Sequence, residues 1–174
     1  MTKEILAQHI YEAAYLEGQF KLRSGQISNH YFGKYRFEAR PELLRQIAER
    51  MIALIPAGTQ VLAGLEMGGI PIATALSLST GIPCAFVRKK AKDYGTCQVV
   101  EGLDIQNKKV CIIEDVITTG GQVILSAQDL RQLGAEISTV LCVIDRGGGR
   151  EKLAESHLEM KALFTMEDLL PKAK

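Results

Sequence analysis

Two adjacent carboxylates, Glu114 and Asp115, follow four apolar residues, Val110-Cys111-Ile112-Ile113, and lead into Val116-Ile117-Thr118-Thr119-Gly120-Gly121-Gln122. The apolar run suits a strand buried on both faces of a parallel sheet. Acids just past the end of such a strand fall where open α/β sheets bind ligands. Thr118 to Gln122 adds hydroxyls, backbone N–H groups and the start of a helix. Together with the helix dipole these stabilise a phosphate, and the glycines permit a close backbone approach. Carboxylates beside a phosphate cradle imply a phosphorylated ribose with a divalent cation nearby.

The Val110–Gln122 run resembles the phosphoribosyl pyrophosphate signature of the type I phosphoribosyltransferases: four hydrophobic residues, two acids, then a Thr-rich loop. It lacks the Gly-Lys-Ser/Thr ending of a P-loop. The resemblance implies that Glu114, Asp115, Val116, Ile117, Thr118, Thr119, Gly120, Gly121 and Gln122 bind phosphoribosyl pyrophosphate. The acids would take the ribose hydroxyls or metal-bound waters, and Thr118 to Gln122 the 5′-phosphate. Mg2+ is the implied cofactor. It would reach the protein through substrate and waters near Glu114 and Asp115, with no direct side-chain ligand, as suits an ion reluctant to shed its hydration shell.

Three further segments bear on the base. Phe20-Lys21-Leu22-Arg23-Ser24-Gly25, followed by His30-Tyr31-Phe32, resembles the N-terminal segment of orotate phosphoribosyltransferases, which covers the base. Arg88-Lys89-Lys90-Ala91-Lys92-Asp93-Tyr94-Gly95 looks like that family's mobile catalytic loop. Its lysines are mobile point charges and its arginine a bidentate fork, so Arg88, Lys89 and Lys92 would neutralise a departing pyrophosphate while Asp93 orders the loop. Lys92, Asp93 and Arg88 are the catalytic candidates. Asp145-Arg146 resembles the family's Asp-Arg, whose arginine binds the orotate carboxylate, so Arg146, Thr118 and Arg23 are the orotate-binding candidates. The resemblance also implies a homodimer with active sites shared across the interface.

The chain departs from the better-known bacterial pattern at Tyr94 and Thr96, which stand where His and Glu are usual. Glu66-Met67-Gly68-Gly69 replaces a turn that carries Lys in the longer enzymes, which removes one cation and leaves backbone donors. Gly147-Gly148-Gly149-Arg150 reads as a flexible turn. Two other readings compete. A transferase for a purine or uracil would leave Arg146 without a carboxylate to meet. A non-catalytic sensor of phosphoribosyl pyrophosphate, or an RNA binder, would not need the acidic pair and the loop lysines. A formal charge of +1 also lacks the basic footprint of an RNA-binding surface.

The elements that must position these residues fit within one domain, since 174 residues suffice to bury a sizeable core. The expected fold class is α/β: a type I phosphoribosyltransferase fold with a central, mostly parallel sheet flanked by helices. A small N-terminal hood is expected mainly from residues 1–40, and a core from about 41–150. Apolar residues at 47% and charged residues at 24% describe an ordinary globular composition. Cys84, Cys111 and Cys142 sit in apolar runs without a Cys-x-x-Cys pair, and they read as buried thiols. The N-terminus lacks the apolar core of a signal peptide and no stretch is long enough to span a membrane, so a cytoplasmic location and no nucleic-acid or membrane partner are expected.

Periodicity predicts a first helix on Ile5, Leu6, Ile10, Ala13, Ala14 and Leu16 with Gly18 as its stop. A second opens at Pro41 and runs towards Pro56. Strands are predicted near Val61–Leu65, Cys84–Val87, Val110–Ile113 and Ile137–Ile144, with helices over Ile70–Leu78 and Gln122–Leu133. This alternation builds a parallel sheet. Arg88–Lys109 has no apolar period and predicts a long loop or irregular hairpin.

Overall fold

The computed structural model describes residues 1–22, 24–91 and 98–170. Thr2 caps α1 (Lys3–Ala14), its side chain accepting from the N–H of Ile5. The helix ends before Leu16 and Gly18, earlier than periodicity predicts. Tyr15 instead opens β1 (Tyr15–Lys21), which pairs antiparallel with β2 (Ile27–Phe32), setting Tyr15 opposite Phe32 and Leu16 opposite Tyr31. Cross-strand pairing of these bulky residues takes over from helical propensity. The hairpin stands apart from the main sheet, whereas Leu6, Ile10 and Ala14 of α1 are buried in the main core.

A short helix, α2 (Tyr35–Glu38), precedes α3 (Pro41–Met51), which Pro41 opens at its first turn and a 3-10 turn, Ile52–Leu54, extends. Then follow β3 (Val61–Leu65), α4 (Gly69–Thr80), β4 (Cys84–Val87) and β5 (Val100–Glu101). The chain continues through β6 (Lys109–Ile117), α5 (Gly121–Gln132), β7 (Glu136–Asp145), α6 (Arg150–Glu155), β8 (Glu159–Thr165) and α7 (Met166–Leu169). The main sheet has the order β5-β4-β3-β6-β7-β8 and is parallel except for β5. The expected hairpin in Arg88–Lys109 is therefore present as an antiparallel β4–β5 edge. The sheet also runs past the expected boundary near residue 150, because β8 pairs with β7 and buries Met160 and Phe164.

Alternation along the strands divides the core. Leu62, Cys111, Ile113 and Leu141 face α1, α3 and α4, while Val61, Ile112, Val140 and Cys142 face α5 and α6. Burial pushes the Cys111 thiol up to about 12 and raises that of Cys142 as well. Cys84 is only half-buried. After β3 the chain moves outward to β4 and β5, then returns to the other side of β3 as β6. This reversal opens a crevice at the carboxyl ends of β3 and β6, the position where doubly wound sheets bind ligands.

The crevice requires close packing between the β3–α4 turn and β6. A Cβ at Gly69 would overlap the carbonyl oxygen of Ile113, backbone that cannot swing aside. Gly69→Ala is therefore expected to lower stability by about 2–3 kcal/mol, the scale of an overpacked core. The urea midpoint would fall without a change in slope. An unchanged midpoint would show that the turn relaxes freely.

Candidate active site

The acidic pair lies inside β6 rather than beyond its end. Ladder pairing with β7 continues past the apolar run, with Glu114 opposite Cys142, Val116 opposite Ile144 and Ile117 opposite Asp145. Glu114 and Asp115 are both buried, Asp115 completely. A Glu114 oxygen accepts from the N–H of Asp115 at 2.9 Å, and Asp115 Oδ1 accepts from the N–H of Val116 at 2.6 Å.

Two residues that sequence reasoning missed complete this cluster. Lys34 Nζ straddles the Asp115 carboxylate, 2.9 Å from Oδ1 and 2.8 Å from Oδ2, with hydrogen-bond alignment only to Oδ1. Glu38, one helical turn further along and 7% exposed, brings its carboxyl within hydrogen-bonding reach of Asp115 while Oε1 finds no partner. The available signal was the i, i+4 spacing of Lys34 and Glu38, which places both on one side of a helical turn. Nothing in it discloses that this side meets β6.

Three carboxyls thus share one ammonium. Burial, then hydrogen bonding to Asp115, pushes Glu38 up to about 9, and the same causes push Glu114 to about 9. Burial also acts to raise Asp115, but hydrogen bonds from Glu114, Glu38 and Lys34 outweigh it and hold Asp115 below its ordinary value. For Lys34, burial is outweighed by its bond to Asp115, and its pKa is raised.

These shifts fix a sign for pH dependence. A folded carboxyl titrating near 9 holds a proton that the unfolded chain releases near 4.5, so the folded state binds more protons between those values. Stability from this source is full below about pH 4.5 and declines as pH rises towards about 9, by at most about 1.4 kcal/mol per pH unit per proton. Glu38→Gln keeps the shape without the titration and should flatten the decline. Urea midpoints compared at about pH 6 and about pH 8 test this. Equal slopes in the two proteins would show that Glu38 is already ionised.

On the β3 side, the Glu66 carboxylate accepts from the backbone N–H of Lys89 at 2.6 Å, and the N–H of Glu66 donates to Val87 at 2.8 Å. The Glu66–Met67 peptide is cis. A Cβ at Gly68 would overlap the Asp115 carboxylate, so the absence of a side chain here is a packing requirement as well as a lost cation. Arg88 pairs with Glu101 across the β4–β5 edge at 3.2 Å, and Lys89 is exposed.

Beyond β6, Thr118, Thr119, Gly121 and Gln122 are exposed, and Gly120 takes the left-handed φ of +73° that turns the chain into α5. α5 has no side-chain cap hydrogen bond, which leaves its first N–H groups, at the positive end of the helix dipole, available to an anion. The Gly147–Arg150 turn braces this loop. A Cβ at Gly149 would lie 3.1 Å from the carbonyl oxygen of Thr118, and Arg150 bonds Asp145 at 2.9 Å and the carbonyl of Met160 at 3.0 Å. Asp145 also accepts from the N–H of Gly147 at 2.8 Å. Between these anchors Arg146 donates its backbone N–H to Ile117 at 2.9 Å, while its exposed guanidinium makes no hydrogen bond or ion pair among the described residues.

The structure thus gathers the acidic pair, Thr118–Gln122, Arg146 and the Glu66–Gly69 turn at one edge of the sheet. Arg88 and Lys89 stand at its flank. Arg23, Lys92, Asp93, Tyr94 and Thr96 lie outside the described residues. In the hairpin, Tyr15 Oη lies 2.6 Å from His30 Nδ1, and Phe20 stacks on Tyr31. Two cavities of 790 and 890 Å3 lie elsewhere, one between the β5 loop and the end of α5, the other between α1 and α7. Neither lies at the carboxyl ends of β3 and β6, where the strand order reverses and the Thr118–Gln122 loop leads into α5, so the topology favours the open crevice.

Residues 36–164 match the model of the phosphoribosyl transferase domain. The orotate phosphoribosyltransferase of Nocardioides sp. is 50% identical over 94% of this chain and 92% of its own length. That of Methanocella arvoryzae is 41% identical over 88% of each. The solved orotate phosphoribosyltransferase of Mycobacterium tuberculosis superposes with a TM-score of 0.86 at 27% identity, covering 96% of this chain and 98% of that one. Motif order, sheet topology and these likenesses agree, and the chain belongs to the orotate phosphoribosyltransferases of the phosphoribosyl transferase domain family.

Proposed function

We infer that the chain transfers ribose 5-phosphate from phosphoribosyl pyrophosphate to orotate, releasing orotidine 5′-monophosphate and pyrophosphate in pyrimidine synthesis. The observation that carries the choice of base is Arg146, held by its backbone to Ile117 beside the phosphate loop, with an exposed guanidinium that has no hydrogen bond or ion pair among the described residues. A planar fork there receives a carboxylate through two parallel hydrogen bonds, which uracil and purines do not offer.

Breaking the C1–oxygen bond leaves an oxocarbenium-like ribose and a departing pyrophosphate, so the barrier is charge separation and positioning, with no nucleophilic side chain required. The first N–H groups of α5 and the hydroxyls of Thr118 and Thr119 hold the 5′-phosphate. Asp115 and Glu114 receive the ribose hydroxyls or metal-bound waters. Asp115, held ionised with its buried Oδ2 lacking an aligned hydrogen bond, would accept from a metal-bound water beside Glu114, and Mg2+ held there would supply charge neutralisation to phosphoribosyl pyrophosphate. Lys92 and Arg88 neutralise the leaving group, Lys89 assists, and Asp93 orders the loop. Arg146 and Thr118 orient orotate, with Arg23 beside them in the hood. Loop exchange between two subunits makes the working unit a homodimer, and the protein acts in the cytoplasm.

Competition tests the choice of base. With phosphoribosyl pyrophosphate and magnesium present, an equimolar mixture of orotate, uracil, hypoxanthine and adenine should yield only orotidine 5′-monophosphate by mass spectrometry. Any other nucleotide as the main product would reassign the base.

A further inference from the structure

We propose that Lys34 supplies the cation that the pyrophosphate turn lacks, leaving Asp115 for substrate when phosphoribosyl pyrophosphate arrives. The inference rests on the reading of the crevice given above. Glu66-Met67-Gly68-Gly69 contains no basic residue, and its one charged side chain is an acid already engaged by the backbone of Lys89. Backbone donors alone leave a pyrophosphate under-neutralised on this side.

Lys34 is placed to make up the difference. The space a side chain at position 68 would fill holds the Asp115 carboxylate, and the Lys34 ammonium lies 2.8 Å from that same carboxylate. Through this shared contact the ammonium stands beside the turn, although it comes from the segment between β2 and α2. The contact spans 81 positions of sequence. The Lys34 side chain is 34% exposed, which leaves it free to swing, whereas Asp115 is fixed in β6 and fully buried. A ribose hydroxyl donating to Asp115 competes with the ammonium for the same oxygens, and a leaving group at the turn offers the ammonium new ones. Glu38, buried one helical turn from Lys34, bonds to Asp115 and so helps to fix the carboxylate on which the resting ammonium sits.

Two probes separate binding of the leaving group from mere support of Asp115. In calorimetric titrations with magnesium present, Lys34→Gln should weaken inorganic pyrophosphate about tenfold, the scale of one charge-assisted hydrogen bond. Ribose 5-phosphate should change less than about twofold, and Lys34→Arg should recover most of the pyrophosphate affinity. Equal weakening of both probes, or none for pyrophosphate, overturns the proposal.

Acylation of the wild-type protein, mapped by mass spectrometry, gives an answer even if Lys34→Gln misfolds. Pyrophosphate should protect Lys34 and ribose 5-phosphate should not, and labelling unaffected by pyrophosphate overturns the proposal. Orotate turnover is read on the same wild-type preparation, so a wrong assignment of the reaction shows itself separately from a wrong assignment of Lys34.

Discussion

Lys92→Ala should lower kcat about 10²–10³-fold while the KM for orotate moves less than about threefold, the pattern of an interaction made in the transition state alone. The cation run begins with groups the scaffold already holds. Arg88 is paired with Glu101, and the backbone of Lys89 is bonded to Glu66. In the proposed mechanism most of the late charge on pyrophosphate therefore falls to Lys92. In the proposed assignment orotate meets a different edge of the crevice, at Arg146 and Thr118, so its binding should be largely indifferent to the change. Steady-state kinetics with each substrate varied in turn checks this. An unchanged kcat would remove the loop from the chemistry.

The second large effect concerns the base. Arg146→Leu should reduce kcat/KM for orotate about 10²–10³-fold, because an orotate carboxylate left unpaired in the site loses charge-assisted hydrogen bonds. The KM for phosphoribosyl pyrophosphate should stay within about twofold. Stability should hold, since the Arg146 guanidinium is exposed and makes no contact among the described residues that the fold would miss. Arg150 offers the contrast. It ties Asp145 to the carbonyl of Met160, so its loss would disturb the turn rather than the substrate directly. A variant at position 146 that kept full orotate efficiency would place the carboxylate elsewhere.

Much of this site was legible because its chemistry is local in sequence. The order of apolar run, acids, threonines and glycines specifies a strand, a turn and a helix start, and β6 and α5 deliver them together. Arg146 at the end of β7 was legible for the same reason. What escaped depends on contacts between distant segments. The strand runs through Glu114 and Asp115 because β7 continues to pair with it, which the polarity of the acids disguises. Lys34 and Glu38 lie in a short segment linking hairpin to helix, and their partner is more than seventy-five positions away. Gly68 and Gly69 read as backbone donors, yet their tightest constraint is the steric demand of Asp115 and Ile113 across the crevice. The end of α1 was misplaced because Leu16 continues the helical period while its strand pairing with Tyr31 decides its conformation.

The most direct measurement is the ultraviolet absorbance of orotate after purified protein is mixed with phosphoribosyl pyrophosphate and magnesium, with pyrophosphate release followed in the same sample. Orotate should disappear in step with pyrophosphate release, and neither should occur when phosphoribosyl pyrophosphate is omitted. Saturable binding of phosphoribosyl pyrophosphate with no loss of orotate would contradict this and make the protein a sensor of that metabolite.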